Sequence, residues 1–253
     1  MNDDFPWSEK LRATGVHFCL SALAVGSLLA LAILSWYPEF LFGTDGGWEG
    51  LRIVVLVDLV LGPLLTFVVF RRGKKGLLLD LSPIAALQLA ALLGGGWVVY
   101  SERPLALVLY EGRVFSVTAG EYQEAGVPVP DFSALPGRPP AIVAFAPPED
   151  PLEQSPVRTA YLGRQQPLYS HAPWMAPLDE HIEDIAAAAR GRDTLEETDA
   201  DRERLAAWLA DQGRTFEEVA FVPYSSRFAL IHLGVDPGTG RVLGALETRS
   251  KYD

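Results

Sequence analysis

The sequence predicts an integral membrane protein: a three-helix transmembrane bundle followed by an extracytoplasmic α+β domain with antiparallel strands. Three observations carry this. Apolar blocks at about residues 16–36, 51–70 and 77–100 each supply the ~20 residues an α-helix needs to cross ~30 Å of hydrocarbon. Basic residues flank these blocks on one side: Lys10 and Arg12 before the first, and Arg71, Arg72, Lys74 and Lys75 between the second and third. Beyond residue 100 the helical apolar runs give way to short alternating segments.

Taken in order, residues 1–15 form a cytoplasmic N-terminus under the positive-inside rule. The first block is too long for a signal-peptide apolar core and ends in Ser35-Trp36-Tyr37-Pro38 without a small-x-small cleavage site, so it reads as a retained helix stopped by Pro38. The loop to the second block holds Glu39, Asp45 and Glu49, with only Arg52 at its end, and faces outward. The 71–76 turn is cytoplasmic and so short that helices two and three must form an antiparallel hairpin in contact. Trp36, Tyr37, Trp97 and Tyr100 fall at the outer ends as interfacial anchors.

Residues 101–253 form the outer, periplasmic part, opened by a junction at Arg103-Pro104. Up to residue 100 there are seven Lys/Arg against eight Asp/Glu, which leaves fourteen against twenty-four for the remainder. So acidic a domain repels phosphate backbones and excludes a nucleic-acid partner. Its lack of cysteine (Cys19 lies in the first block) means packing alone must hold it. Residues 105–110 and 113–118 read as strands around Glu111-Gly112. Residues 126–148 read as an irregular crossing segment. Residues 177–190 have helical spacing. Thr194 with Glu197, or Thr198 with Asp201, offers a capping box for a helix through Trp208 that ends at Gly213. Residues 228–235 and 241–247 flank a hairpin turn.

Within the bilayer, polar residues stand out. Asp58 costs roughly 2.5 kcal/mol or more unless paired or neutral. At 1.5 Å per residue, Asp58 lies roughly 10 Å and Gln88 roughly 14 Å below the outer edge, so the two are expected to hydrogen-bond across the hairpin. Thr66 and Asp80 fall near the cytoplasmic side, Asp80 within reach of Lys74, Lys75 or Arg71. Gly62 allows close helix approach, and Pro63 removes the bond to the Leu59 carbonyl. This set reads as a structural latch, a docking point for another membrane helix, or both; one acid in three helices is thin support for proton transport.

No catalytic, cofactor or metal set emerges. His181 sits in an acidic helix face without a second histidine or a cysteine at ligand spacing, and His171 and His232 lack a nucleophile. Ser226 lacks the nucleophile-elbow glycines. Gly94-Gly95-Gly96 lies in a membrane helix and signals tight packing. The chain is not expected to be an enzyme.

One family matches these residues. Trp36-Tyr37-Pro38, Asp58 with Gly62-Pro63-Leu64-Leu65-Thr66, Lys75 with Asp80-Leu81, Gln88, Arg103-Pro104, and Asp236-Pro237-x-Thr239-Gly240-x-Val242-Leu243-Gly244 together resemble the type IV pilin accessory proteins of the TfpX/TfpZ group. The three glycines replace a tyrosine-glycine pair often found late in helix three of that group. The resemblance implies a non-catalytic factor of the bacterial inner membrane. It would act as a pilin-specific chaperone or modulator of type IV pilus assembly, with a pilin subunit and the lipid bilayer as partners. The rival reading is a membrane-anchored extracytoplasmic sensor or ligand-binding protein signalling through a partner.

Overall fold

The computed structural model describes residues 7–37, 40–133, 135, 140–226 and 228–250 of the chain. The chain divides after Glu102 into two compact units, Met1–Glu102 and Arg103–Asp253.

The first unit holds three helices long and apolar enough to cross a membrane: α1 (Trp7–Trp36), α2 (Gly47–Val69) and α3 (Leu77–Ser101). Helix α1 starts nine residues before the apolar block because its first turns have their own work to do against the end of α2. Trp7 packs on Phe67 at 5.8 Å, Lys10 Nζ donates to the Val68 carbonyl at 3.3 Å, and Glu9 pairs with Arg72. The last turn of α1, Ala32–Trp36, widens to π geometry. Pro38, expected to stop the helix, lies outside the described residues. A one-turn helix at Leu41–Thr44 precedes α2, and Gly46 makes the turn into it at φ +87°.

Helix α2 is the centre of the bundle. It packs on both α1 and α3, burying Leu51 and Val54 against Val25 of α1. Glycines set its distance from α3. A Cβ on Gly95 would fall 2.2 Å from Val54 Cγ2, and one on Gly50 would fall 2.6 Å from Val99 Cγ2. Midway, residues Leu56–Leu61 form a π-helical segment before α geometry resumes at Gly62. Pro63 has no N–H to give the Leu59 carbonyl, and the Gly62 N–H reaches back to the Val57 carbonyl instead, so the lost bond is absorbed by the wider turn.

The second unit is an α+β domain on a seven-stranded sheet of order β4-β3-β1-β2-β5-β6-β7. Strands β1 (Pro104–Tyr110) and β2 (Arg113–Thr118) pair around Glu111-Gly112, both at positive φ, as a two-residue hairpin requires. Helix α4 (Ala119–Glu124) follows, capped by Thr118 and Glu121. Antiparallel pairs predominate, as expected, but the sheet is mixed. β3 (Ala141–Phe145) lies parallel to β1, and β5 (Ala220–Ser225) lies parallel to β2. Each arrives by a long return, the first through α4 and the proline-rich segment. That segment therefore holds a strand as well as irregular chain. Beyond it, α5 (Pro151–Gly163) lies mostly exposed, and the short β4 (Met175–Pro177) closes one edge of the sheet.

The expected 177–190 helix contracts to α6 (Ile182–Ala188). Of the two capping sequences, Thr198 with Asp201 starts α7 (Asp199–Gln212), and Gly213 ends it at φ +61°. Strands β6 (Ala229–Val235) and β7 (Val242–Ser250) form the last hairpin. Trp208 of α7 covers them; a Cβ on Gly234 would collide with its ring at 2.3 Å. One core cluster gathers Val108, Val117, Tyr122 and Val143, another Leu195, Leu205, Phe221 and Leu246.

Candidate functional site

Five polar residues of the three apolar helices, His17, Ser21, Asp58, Thr66 and Gln88, converge on one place. Gln88 of α3 lies buried where α1 and α2 meet. Its Oε1 stands 2.8 Å from His17 Nε2, and its Nε2 donates to Ser21 Oγ at 3.3 Å and to the Asp58 carbonyl oxygen at 3.4 Å. The other imidazole nitrogen, His17 Nδ1, is 2.6 Å from Thr66 Oγ1. A neutral histidine protonated at Nε2 satisfies the whole chain: it donates to Gln88, accepts from Thr66, and leaves the Gln88 amino group for Ser21 and Asp58. Each helix thus contributes at least one member, and every bond crosses between helices.

Local geometry makes room for this. The π segment turns Asp58 inward, where it is 4% exposed, with the Gln88 amide beside its carboxyl. Asp58 Oδ2 is buried without a hydrogen-bond partner among the described groups. A Cβ on Gly62 would fall 2.1 Å from Gln88 Nε2, so glycine is what allows the amide to lie against α2.

The structure therefore brings together Asp58, Gly62, Thr66 and Gln88, with Pro63 adjoining. The Asp58–Gln88 contact includes the Asp58 main-chain carbonyl. Asp80 stands apart, paired with Lys74 at 2.5 Å. Arg103 and Pro104 begin the second unit, with Pro104 as the first residue of β1. His17 and Ser21 are the members that sequence reasoning missed.

The cluster floors an open cavity of about 720 Å³. Val16 and Leu20 of α1 face Leu81 and Ala85 of α3 across it, and Glu9, Arg12 and Arg72 lie at its end. The chemistry the cluster offers is hydrogen bonding between helices.

In the second unit the candidate histidines have structural surroundings. His232 lies on β6, an interior strand, and burial together with Arg190 and Arg113 pushes its pKa down to about 4. His171 Nδ1 is 3.0 Å from the Tyr161 hydroxyl, its ring sits edge-on to Trp174, and burial lowers its pKa. His181 Nδ1 lies 3.2 Å from Asp184. Among the described residues no group of three or more His, Cys, Asp or Glu side chains is placed to hold a metal.

The chain is similar to three fimbrial assembly proteins of Dichelobacter nodosus. It is 30% identical to that of serogroup I over 129 residues, covering 49% of this chain and 50% of the relative. It is 29% identical to that of serogroup E1 over the same length and shares of each. It is 32% identical to that of serogroups C1 and C2 over 112 residues, covering 44% of this chain and 86% of the relative. The chain spans about half the length of the first two. No family model matches it, and no solved structure does.

Proposed function

We propose a function from one premise: the chain belongs to the family of fimbrial assembly proteins. On that reading it is a non-catalytic accessory factor of pilus biogenesis, held in the bacterial inner membrane by three helices. It acts on a pilin subunit as a chaperone or modulator. The N-terminus and the 71–76 turn lie in the cytoplasm and the α+β domain in the periplasm, which is the arrangement the basic flanks favour.

Family membership carries the proposal, and the bundle supports it. A subunit awaiting assembly with an apolar membrane helix and an extracytoplasmic head would meet a partner with both membrane and external surfaces. Asp58 is buried among its own helices, which favours its role as an internal latch over direct docking. Residues beside it on the same helix, Leu56 and Val60, are more than half exposed and present an apolar face that a partner helix can pack against.

The test places photo-crosslinking residues at Leu56 and Val60 in a piliated strain that makes this protein. Pilin adducts at these sites, together with loss of surface pili on deletion of the gene, are the expected result. Normal piliation after deletion, with no adduct to pilin, would overturn the reading.

A further inference from the structure

Helices α1 and α3 meet at one end and part at the other. Near the loop to α2, Trp36 and Tyr100 pack edge to face at 5.1 Å, the Tyr37 hydroxyl donates to the Val99 carbonyl at 2.7 Å, and a Cβ on Gly96 would touch Leu28 at 3.6 Å. Toward the 71–76 turn the same helices diverge, leaving the 720 Å³ wedge with α2 as its floor. The wedge thus occupies one leaflet, open sideways to lipid.

Its lining has a polarity gradient. The walls, Leu20 and Val16 against Leu81 and Ala85, are apolar. The rim at the basic end carries Arg12 and Arg72 with a single acid, Glu9, which pairs with Arg72. The arginines therefore leave the rim net positive, and no ion pair engages exposed Arg12 among the described residues.

We propose that this wedge is a binding site for an anionic phospholipid of the cytoplasmic leaflet, its headgroup phosphate on Arg12 and Arg72 and an acyl chain between α1 and α3. Two observations favour lipid over a partner's membrane helix. The floor groups His17, Thr66 and Gln88 are already bonded to one another, so the wedge lacks apolar volume and a counter-anion rather than a hydrogen-bonding partner. A partner helix obeying the positive-inside rule would also bring its own cations against Arg12 and Arg72, whereas an anionic headgroup is complementary. The lipid site rests on the orientation proposed above but not on pilin, so failure of the pilin crosslink would leave it standing.

The experiment is native mass spectrometry of the full-length protein released from vesicles of equal parts phosphatidylglycerol and phosphatidylcholine. Wild type is expected to retain phosphatidylglycerol in preference to phosphatidylcholine. Arg12→Gln should weaken that retention about fivefold, the effect of one basic residue at an anionic surface. Ala85→Phe fills the wedge while leaving both arginines in place. It should abolish the retained lipid with helical circular dichroism unchanged. Ala85 is exposed, so the larger side chain does not disturb the packed core. Equal retention of the two lipids by wild type would overturn the proposal. So would undiminished phosphatidylglycerol on Ala85→Phe, or a crosslinker at Leu81 that captures a protein helix instead of lipid.

Discussion

Gln88 is placed so that a single side chain ties three helices, and its neighbours show how strictly the place is specified. Replacing it with leucine removes its bonds to His17, Ser21 and Asp58 and leaves those groups in a low-dielectric interior. Interhelical hydrogen bonds in membranes are individually modest, so Gln88→Leu is expected to cost about 1–2 kcal/mol in denaturation of the detergent-solubilised protein. Gly62→Ala acts through the same amide. The new Cβ meets the mobile end of Gln88, which swings away and forfeits its bonds, for a loss of about 1 kcal/mol. If the two changes share one cause, the double variant will cost clearly less than their sum; full additivity would show that Gly62 matters for some other contact. Asp58, Thr66 and Gln88 were legible in the sequence because polar side chains are conspicuous in an apolar run. His17 was not. Counted from residue 16 it sits at the membrane edge, but α1 begins at Trp7, so His17 lies ten residues, or about 15 Å, along the helix. Ser21 gives no signal of its own, since serine is common in membrane helices.

Elements were legible where local chemistry determines them. The Glu111-Gly112 turn, the Thr198 cap, the Gly213 stop and the last hairpin all follow from side chains within a few residues of where they act. Thr198 Oγ1 accepts the Asp201 N–H at 3.1 Å and donates to its carboxylate at 2.6 Å. Thr198→Ala is therefore expected to lower the stability of the second unit by about 1 kcal/mol, read as a shift in its denaturation midpoint. Serine at the same position should restore most of it. β3 and β5 were hidden for a different reason. Both are fixed by long-range pairing, and both carry proline signals that point away from strand. β5 contains Pro223, which argues against an interior strand. It is tolerated because the β2 ladder begins only at Tyr224, one residue beyond it. The parallel β1–β3 and β2–β5 junctions likewise follow from where the chain returns, which no short-range pattern encodes. In α2 the converse holds. Pro63 announces an irregularity, but whether it becomes a kink or a π turn depends on how the freed carbonyl is accommodated.

At the scale of the whole molecule, the division after Glu102 separates helices that rely on lipid from a sheet domain that relies on its own packing, without disulfides. Their responses to pH should differ. In the second unit His232 titrates near 4 in the folded state against 6.5 when free, so the unfolded chain binds the extra proton first as pH falls. Its contribution is fully present above about pH 6.5 and is lost progressively down to about pH 4, since a depressed histidine favours the folded state only while neutral. The effect is at most about 2 kcal/mol once solvent screening of this half-buried ring is counted. His171, also lowered, adds in the same direction. Urea titration of the full-length protein in detergent, followed by fluorescence of Trp208 with the other five tryptophans replaced by phenylalanine, reads this unit, because Trp208 packs on Gly234 of β6. Its midpoint should fall between pH 7 and 4, and His232→Gln should flatten that slope. An unchanged slope in the variant would mean that His232 binds its proton equally well in the folded and unfolded chain, so that burial, Arg190 and Arg113 do not disfavour the imidazolium as the sheet places them.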